Sequence, residues 1–309
     1  MSLAAVFPGQ GSQSLGMGQA MAAAFPTAKR VFDEASEQLG YDMLALCADG
    51  PKERLSLTEY TQPAILTVSV AAYRVWAEQV GLSPDYAAGH SLGEYAALVA
   101  SGSLSFSDAV RVVQVRGRAM QEAVPVGEGA MAAVLNLELS AVEAICQDAA
   151  QGRHVMPANM NAPGQIVISG HADAVERAGQ LARERGAKRV LPLDVSAPFH
   201  CRLMAPAADA LREVLADTAF GPLGFTVLAN VDAQPYRMDG SDARERLVAQ
   251  VCAPVQWEGC VRAMEQGSVT RSVEFGIGRI VSALIKRCAR DIELTSVETP
   301  EDLGAWIAN

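Results

Sequence analysis

The chain has 309 residues, 50% of them hydrophobic and 19% charged, which is typical of a globular protein with one large core and room for a smaller inserted domain. Its formal net charge of −10 argues against nonspecific nucleic-acid binding. Six cysteines without a C-x-x-C pair predict reduced thiols and no metal site. The N-terminal segment lacks a basic region and no apolar run is long enough to span a bilayer, so we expect a cytoplasmic protein without a signal peptide or membrane anchor.

The first predicted strand, residues 3–7, leads into a glycine-rich loop, Pro8-Gly9-Gln10-Gly11-Ser12-Gln13. This loop lacks the Gly-Lys-Ser/Thr ending of a phosphate-binding loop. At the carboxyl edge of a parallel sheet such a polar loop commonly borders a ligand site, and a plain turn is the alternative. Apolar residues then recur every three or four positions over residues 17–39 and 63–80, which predicts two helices packed on the sheet.

The pentapeptide Gly89-His90-Ser91-Leu92-Gly93 lies between a short predicted strand (85–88) and a predicted helix (94–100). Glycine at both ends allows a sharp backbone reversal that would expose the Ser91 hydroxyl above a sheet, at a helix N-terminus. Backbone N–H groups and the helix dipole stabilise developing negative charge at such a position. The context predicts a nucleophile elbow, and an ordinary Gly-Ser turn is the alternative.

The next predicted helix begins near Ser107 and ends near Glu122, and it carries an inward-facing arginine. Arg116 is spaced three or four residues from apolar neighbours, whereas the other charged residues of this helix share the opposite face. A buried guanidinium requires an anion, so we expect either a protein carboxylate or a carboxylate on a substrate close to Arg116. A purely structural ion pair is the alternative.

Residues 125–198 are predicted to form a separate small domain inserted into a discontinuous large domain (1–124 and 199–309). The order strand, helix, strand, strand, helix, strand is that of a ferredoxin-like domain. A cleft between two such domains is a common ligand site. The predicted elements are strand 130–137, helix 140–150, strands 155–161 and 165–169, helix 172–185 and strand 189–195.

A base for Ser91 can be sought among four histidines. His90 adjoins the serine on the strand side and is expected to point away. His154 follows a Gln-Gly-Arg loop, and His171 begins a predicted helix. This leaves His200, in a proline-containing loop at the domain junction, with a structural histidine as the alternative. An α/β-hydrolase would place an acidic residue between serine and histidine. The nearest one, Asp194, ends a predicted strand and is not favoured.

The second half of the large domain is predicted to add two strands (227–231 and 269–275) and two helices (243–251 and 279–290). The fold class is therefore α/β: an α/β-hydrolase-like large domain with a parallel sheet and a nucleophile elbow, plus the inserted ferredoxin-like domain.

Taken together, these motifs resemble those of the malonyl-CoA:acyl-carrier-protein transacylases. The resemblance covers nearly the whole chain, and its motifs occur in the family's order. Cys201 and Arg202 depart from it, because serine and proline are usual after the histidine. The matching segments are Phe7–Gln13, Gly89–Tyr95, Arg116, Asn161–Gln165, Ala197–His200, Pro254–Trp257 and Leu284–Arg287.

The resemblance implies a role for each matching residue. Ser91 would be the nucleophile that accepts the acyl group, and His200 would be its general base and later acid. The main-chain carbonyl of Gln250 would orient the histidine in place of an acidic side chain. Further roles implied are Gln10 and the N–H of Leu92 as the oxyanion hole, Arg116 as the partner of the malonyl carboxylate, and Phe199 as a determinant of acyl selectivity.

The resemblance also implies the reaction and the partners. Malonyl-CoA would donate its acyl group to Ser91, and the phosphopantetheine thiol of an acidic acyl carrier protein would accept it, for fatty-acid synthesis and without a permanently bound cofactor. The alternatives are an acyltransferase of a polyketide synthase, the transacylase subunit of a malonate decarboxylase, an acyl-thioester hydrolase and a noncatalytic carrier-binding protein. The carrier would dock on a basic patch drawn from Lys188, Arg189, Arg202, Arg279, Lys286 and Arg287.

Overall fold

A parallel sheet forms the centre of the part of the chain that the computed structural model describes, residues 2–307. Its strands are β1 (Ser2–Phe7), β2 (Tyr86–Gly89), β7 (Thr226–Leu228), β8 (Val269–Phe275) and β9 (Glu293–Val297). They lie in the order β7-β2-β1-β8-β9, and every neighbouring pair is parallel. The carboxyl ends of β1 and β2, which carry the two glycine-containing loops, therefore meet at one edge of the sheet.

Both faces of this sheet are covered, as the composition of β1 requires. Ala5 and Phe7 pack into the core on one face, and Ala4 and Val6 into the core on the other; all four are buried. A strand covered on both faces has no polar side, which is why residues 3–7 form an unbroken apolar run.

Twelve α-helices flank the parallel sheet within the described residues. Eight cover the first part of the chain and its return: α1 (Gln19–Ala24), α2 (Pro26–Leu39), α3 (Met43–Asp49), α4 (Lys52–Leu55), α5 (Thr58–Val80), α6 (Gly93–Ala100), α7 (Phe106–Glu122) and, after a 3-10 turn at Arg202–Met204, α10 (Ala205–Ala216). The remaining four are α11 (Ala243–Cys252), α12 (Trp257–Gln266), α13 (Ile280–Cys288) and α14 (Pro300–Ile307).

Residues between α7 and α10 form a second unit around an antiparallel sheet. Its elements are β3 (Gly129–Leu135), α8 (Leu139–Ala150), β4 (Val155–Ala162), β5 (Gln165–His171), α9 (Ala172–Glu184) and β6 (Arg189–Pro192). The strand order is β4-β5-β3-β6, with antiparallel pairing throughout. This unit has its own apolar core between the sheet and the two helices.

Strand β4 also joins the small unit to the large one through the main chain. Val255, which lies between α11 and α12, donates to the carbonyl of Ala158 and accepts from the N–H of Met160, each at 2.9 Å. The two units are therefore tied along one side of the space between them.

Several predicted elements have different bounds in the structure. The single helix predicted over residues 17–39 is two helices, because Phe25 is extended and Pro26 begins α2. Helix α5 begins at Thr58, so Pro63 lies inside it and not at its start. The strand predicted over 189–195 ends at Pro192, and residues 193–196 continue as irregular backbone. Strand β9 and helices α3, α4, α10, α12 and α14 have no counterpart in the sequence analysis.

Within residues 2–307, no helix is both long enough and apolar enough to cross a bilayer.

The close approach of Gly93 to β1 gives a testable prediction. A Cβ atom on Gly93 would lie 2.2 Å from the carbonyl oxygen of Phe7, so Gly93→Ala must displace the backbone of either β1 or α6. We expect a loss of at least about 1–3 kcal/mol in the free energy of unfolding, measured by chemical denaturation. Gly304→Ala is the matched control, since nothing lies within 4 Å of its added Cβ. Equal stability of the two variants would contradict the close packing of the turn on β1.

Candidate active site

The turn between β2 and α6 presents Ser91 in a left-handed backbone conformation, with φ of 51°. Such a conformation is costly for a residue other than glycine and requires support from its surroundings. The Asn230 side chain supplies it on both sides of the turn: Oδ1 accepts from the N–H of Ser91 at 2.7 Å, and Nδ2 donates to the carbonyl of Gly89 at 2.8 Å. The serine hydroxyl is thereby held above the carboxyl edge of the parallel sheet.

His200 is the histidine that the fold brings to Ser91. Its Nε2 lies 2.7 Å from the Ser91 Oγ, and its Nδ1 lies 2.9 Å from the main-chain carbonyl oxygen of Gln250. A carbonyl only accepts, so Nδ1 carries the proton and Nε2 is free to accept the serine O–H. The acceptor for Nδ1 is therefore a carbonyl, while Asp194 is exposed at the rim of the cleft.

Burial decides the protonation state of this histidine. Loss of solvent, followed by the positive charge of Arg116, lowers the pKa of His200 from 6.5 to about 3. The imidazole is therefore neutral at physiological pH, which is the state that can accept a proton from Ser91.

The other three histidines lie elsewhere. His90 bonds through Nε2 to the Oδ1 of Asn161 at 2.8 Å and packs on the ring of Trp257. His154 and His171 stack on each other in the small unit. Within the described residues, His200 alone among the histidines contacts the Ser91 hydroxyl.

Arg116 projects from α7 directly onto the serine and is 1% exposed. Its Nη2 donates to the Ser91 Oγ at 3.0 Å and to the Oε1 of Gln250 at 2.9 Å, and its Nη1 donates to the Oε1 of Gln62 at 2.8 Å. Its Nε has no hydrogen-bond partner in the part of the chain described. These neighbours are all neutral, so the guanidinium retains donors for an anionic group beside Ser91.

A cleft of about 520 Å³ lies between the two units, and Ser91 and His200 line it. Gln10 and Leu92 also line it, and the Nε2 of Gln10 donates to the Oγ1 of Thr58 at 3.3 Å. Phe199 is largely buried in the same wall. Residues from the small unit that line the opposite wall are Met131, Asn159, Asn161, Gln165 and Val167.

Glu94 is a buried carboxylate beneath the turn that the sequence analysis missed. It accepts from the main-chain N–H of Asn230 at 3.1 Å, from the Nε2 of Gln250 at 2.7 Å, and from the hydroxyl of Tyr236. Burial raises the pKa of Glu94 to about 7, and these hydrogen bonds and the charge of Arg116 oppose that rise. One signal was available, because Glu94 is the single charged residue of the otherwise apolar α6.

The sequence analysis also missed Asn230 and Gln62, which differ in how visible they are in the sequence. Asn230 follows β7 at the carboxyl edge of the sheet, which is a position where polar side chains commonly serve a site. Gln62 lies within a long helix among other buried residues and carries no comparable signal. Among residues 2–307, no group of three or more His, Cys, Asp or Glu side chains is placed to hold a metal ion.

Comparison with known proteins places this arrangement in a family. The model of the acyl transferase domain family matches residues 5–270. The malonyl CoA-acyl carrier protein transacylase of Escherichia coli (strain K12) is 48% identical over 300 residues, 97% of each chain, and that of Bacillus subtilis (strain 168) is 45% identical over 302 residues, 97% of this chain and 95% of the relative.

Solved structures agree over the full length. The malonyl CoA-acyl carrier protein transacylase from Coxiella burnetii superposes with a TM-score of 0.97 at 44% identity, covering 100% of this chain and 97% of that one. A malonyl-transacylase in complex with a type II polyketide synthase acyl carrier protein gives a TM-score of 0.97 at 46% identity, with both chains fully covered. The chain belongs to the acyl transferase domain family and, within it, to the malonyl CoA-acyl carrier protein transacylases.

Proposed function

We propose that the protein transfers a malonyl group from malonyl-CoA to the phosphopantetheine thiol of holo acyl carrier protein through an ester on Ser91. The single observation that carries the proposal is the placement of Arg116, whose Nη2 lies 3.0 Å from the Ser91 Oγ and whose hydrogen-bond partners are uncharged. An esterase for neutral acyl groups has no use for a buried cation at its nucleophile. The names of the relatives support the same reaction.

In the first step, Ser91 attacks the thioester carbonyl while the Nε2 of His200 takes the hydroxyl proton. The Ser91–carbonyl bond forms and the bond to the CoA sulfur breaks, and the proton on His200 passes to the departing thiolate. The main-chain carbonyl of Gln250 holds the imidazole in the required tautomer. In the second step the phosphopantetheine thiol attacks the Ser91 ester by the same path in reverse.

Negative charge develops on the carbonyl oxygen in both steps. The N–H of Leu92, at the start of α6, and the amide of Gln10 are the proposed donors to it. Because Gln10 now bonds to Thr58, its amide must turn towards the serine when substrate binds. Every step uses protein side chains and the two thiol partners, so the proposed mechanism needs no permanent cofactor.

We also propose domain types for the two units, a cellular location and a set of carrier-docking residues. The large unit (1–124 and 199–309) would be α/β-hydrolase-like and the small unit (125–198) ferredoxin-like, which the turn at Ser91 and the strand order β4-β5-β3-β6 support. The cytoplasm is the proposed location. The proposed carrier-docking residues are all exposed, and one of them, Arg279, lies 3.8 Å from Asp302. They are Lys188, Arg189, Arg202, Arg279, Lys286 and Arg287.

Fatty-acid synthesis is the proposed pathway, and a polyketide synthase is the second candidate. The specific observation in favour of the second is the similar malonyl-transacylase solved with a type II polyketide synthase carrier. The two candidates share the chemistry and the site, so they differ in the carrier alone. Comparing kcat/KM for holo carriers of the two kinds would distinguish them.

The covalent intermediate gives the first test. Incubation with malonyl-CoA should add one malonyl group, found by mass spectrometry on the Ser91 peptide, and Ser91→Ala should remain unlabelled. Cys201→Ala is the control and should be labelled normally, because burial raises the pKa of the Cys201 thiol, which donates to the carbonyl of Pro198. Addition of a holo carrier should then remove the label. Malonyl on Cys201 would overturn the assignment. Release of free malonate as fast as transfer to the carrier would favour a hydrolase.

The low pKa of His200 gives a second test, on pH dependence. A base with a pKa of about 3 stays neutral where an ordinary histidine, with a pKa of 6.5, becomes protonated. We therefore expect the rate of Ser91 acylation by acetyl-CoA, measured in single turnovers, to persist from pH 7.5 down to about pH 5. His200→Ala should slow acylation by roughly 10²–10⁴-fold. A half-loss of the wild-type rate near pH 6.5 would contradict the buried, neutral base.

Acyl selectivity gives a third test. A charge-assisted hydrogen bond contributes about 1.5–3 kcal/mol, so Arg116→Ala should lower kcat/KM for malonyl-CoA by at least about 10–150-fold. Acetyl transfer should be kept or increased, since an acetyl group offers no anion to the guanidinium, whose direct hydrogen-bond partners are all neutral. Arg118→Ala is the matched control. Arg118 lies on the same helix as Arg116, is exposed, and pairs with Glu59 of α5. An equal loss with both donors would make Arg116 a structural residue.

Phe199 is the proposed determinant of selectivity at the acyl α-carbon. It lines the cleft next to His200, where it would crowd a methyl branch. One methyl group changes binding by only about 1–3 kcal/mol. Discrimination against methylmalonyl should therefore be weaker than discrimination against acetyl.

A further inference from the structure

The charge of the buried Arg116 is balanced indirectly. Its guanidinium donates to Gln62, Ser91 and Gln250, none of which is charged. Burial of an isolated cation is strongly unfavourable, so a compensating anion is required. The Gln250 amide leads to one: its Oε1 accepts from the Arg116 Nη2 at 2.9 Å, and its Nε2 donates to the Glu94 Oε2 at 2.7 Å.

The hydrogen bonds of Glu94 fit an ionised carboxylate. Three donors converge on its two oxygens, from the main chain of Asn230 and from the side chains of Gln250 and Tyr236. A protonated carboxyl would keep these contacts only if the Tyr236 hydroxyl turned to accept from it instead of donating. The same Gln250 amide donates to the Ser91 carbonyl at 2.9 Å, so the bridge between the two charges also contacts the nucleophile.

We propose that Glu94 is the counter-charge of Arg116, a positioning residue that acts through the Gln250 amide and sets how strongly the pocket prefers an acyl group bearing a carboxylate. The inference rests on the proposed function. When Glu94 is ionised it offsets the guanidinium and repels a second carboxylate. When it is neutral, the attraction of Arg116 for the malonyl carboxylate is undiminished, so the preference for malonyl over acetyl increases.

The groups that surround Glu94 leave it as the one that changes charge near neutral pH. They are Tyr95 on its own helix, Arg116 on α7, Tyr236 after β7 and Cys260 on α12, with Arg246 of α11 packed behind the Tyr236 ring. Burial raises the pKa of Tyr95, Tyr236 and Cys260 far above neutrality, and arginine stays protonated. The pKa of Glu94 itself is raised to about 7, chiefly by burial.

Glu94→Gln tests the proposal because the amide retains the hydrogen bonds without the charge. Its oxygen can accept from Asn230 and Gln250, and its nitrogen can donate to the Tyr236 oxygen. The quantity to measure is the ratio of kcat/KM for malonyl-CoA to kcat/KM for acetyl-CoA between pH 6 and 8.5, with one holo carrier as acceptor. Effects on Ser91 and His200 that both donors share cancel in this ratio.

We expect the wild-type ratio to rise by about 3- to 30-fold as the pH falls through 7. This is the expected effect of neutralising Glu94, the negative member of the amide-bridged pair, close to the malonyl carboxylate. Glu94→Gln should show the high ratio at every pH. The surface control Glu143→Gln should behave as wild type. A wild-type ratio independent of pH, or a Glu94→Gln variant that loses both activities equally with the ratio unchanged, would overturn the proposal.

A second variant keeps the proposal testable if Glu94→Gln does not fold. Tyr236→Phe leaves the carboxylate but removes one donor, which raises its pKa further, so the increase in the ratio should move to higher pH. An unchanged midpoint would count against Glu94. Failure of the wild-type enzyme to transfer malonyl at any pH would instead overturn the proposed function, whereas a flat ratio with active transfer overturns the inference alone.

Discussion

The candidate active site depends on the left-handed backbone at Ser91. This conformation costs about 1–3 kcal/mol for a residue with a side chain. It is maintained because the Ser91 N–H and carbonyl both have side-chain partners, Asn230 and Gln250. His200 is also left-handed, with φ of 58°, so both members of the Ser91–His200 pair are held in uncommon conformations by the packing around them. The 2.7 Å contact between them is a product of the whole fold and not of either loop alone.

Gln250 is the residue at which these constraints meet. Its main chain fixes the imidazole, and its side chain contacts Arg116, Glu94 and the Ser91 carbonyl. Separation of the two buried charges by a neutral amide has a chemical advantage. Direct pairing with Glu94 would occupy the guanidinium fork, whereas the amide takes one donor and leaves others directed towards the serine.

The features most visible in the sequence are those that short patterns determine. Gly89 and Gly93 on either side of Ser91 allow the sharp backbone reversal of a strand-turn-helix junction. Arg116 is conspicuous because it is a charged residue on an apolar helix face. The break at Phe25 was less visible, because the apolar period continues across it. Gln250 was found by resemblance, and for its carbonyl only. Side-chain networks such as that of Glu94 assemble residues more than 130 positions apart, and no local pattern records which of them will meet.

The main-chain bonds between β4 and Val255 have a consequence for the modular character of the small unit. An inserted domain is usually pictured as attached by its two connecting segments alone. Here Val255 of the large unit, more than fifty positions after the last strand of the small unit, pairs with the middle of β4. Exchange of the small unit, β3 to β6, between relatives would therefore also require compatible backbone around Val255, in the connection between α11 and α12.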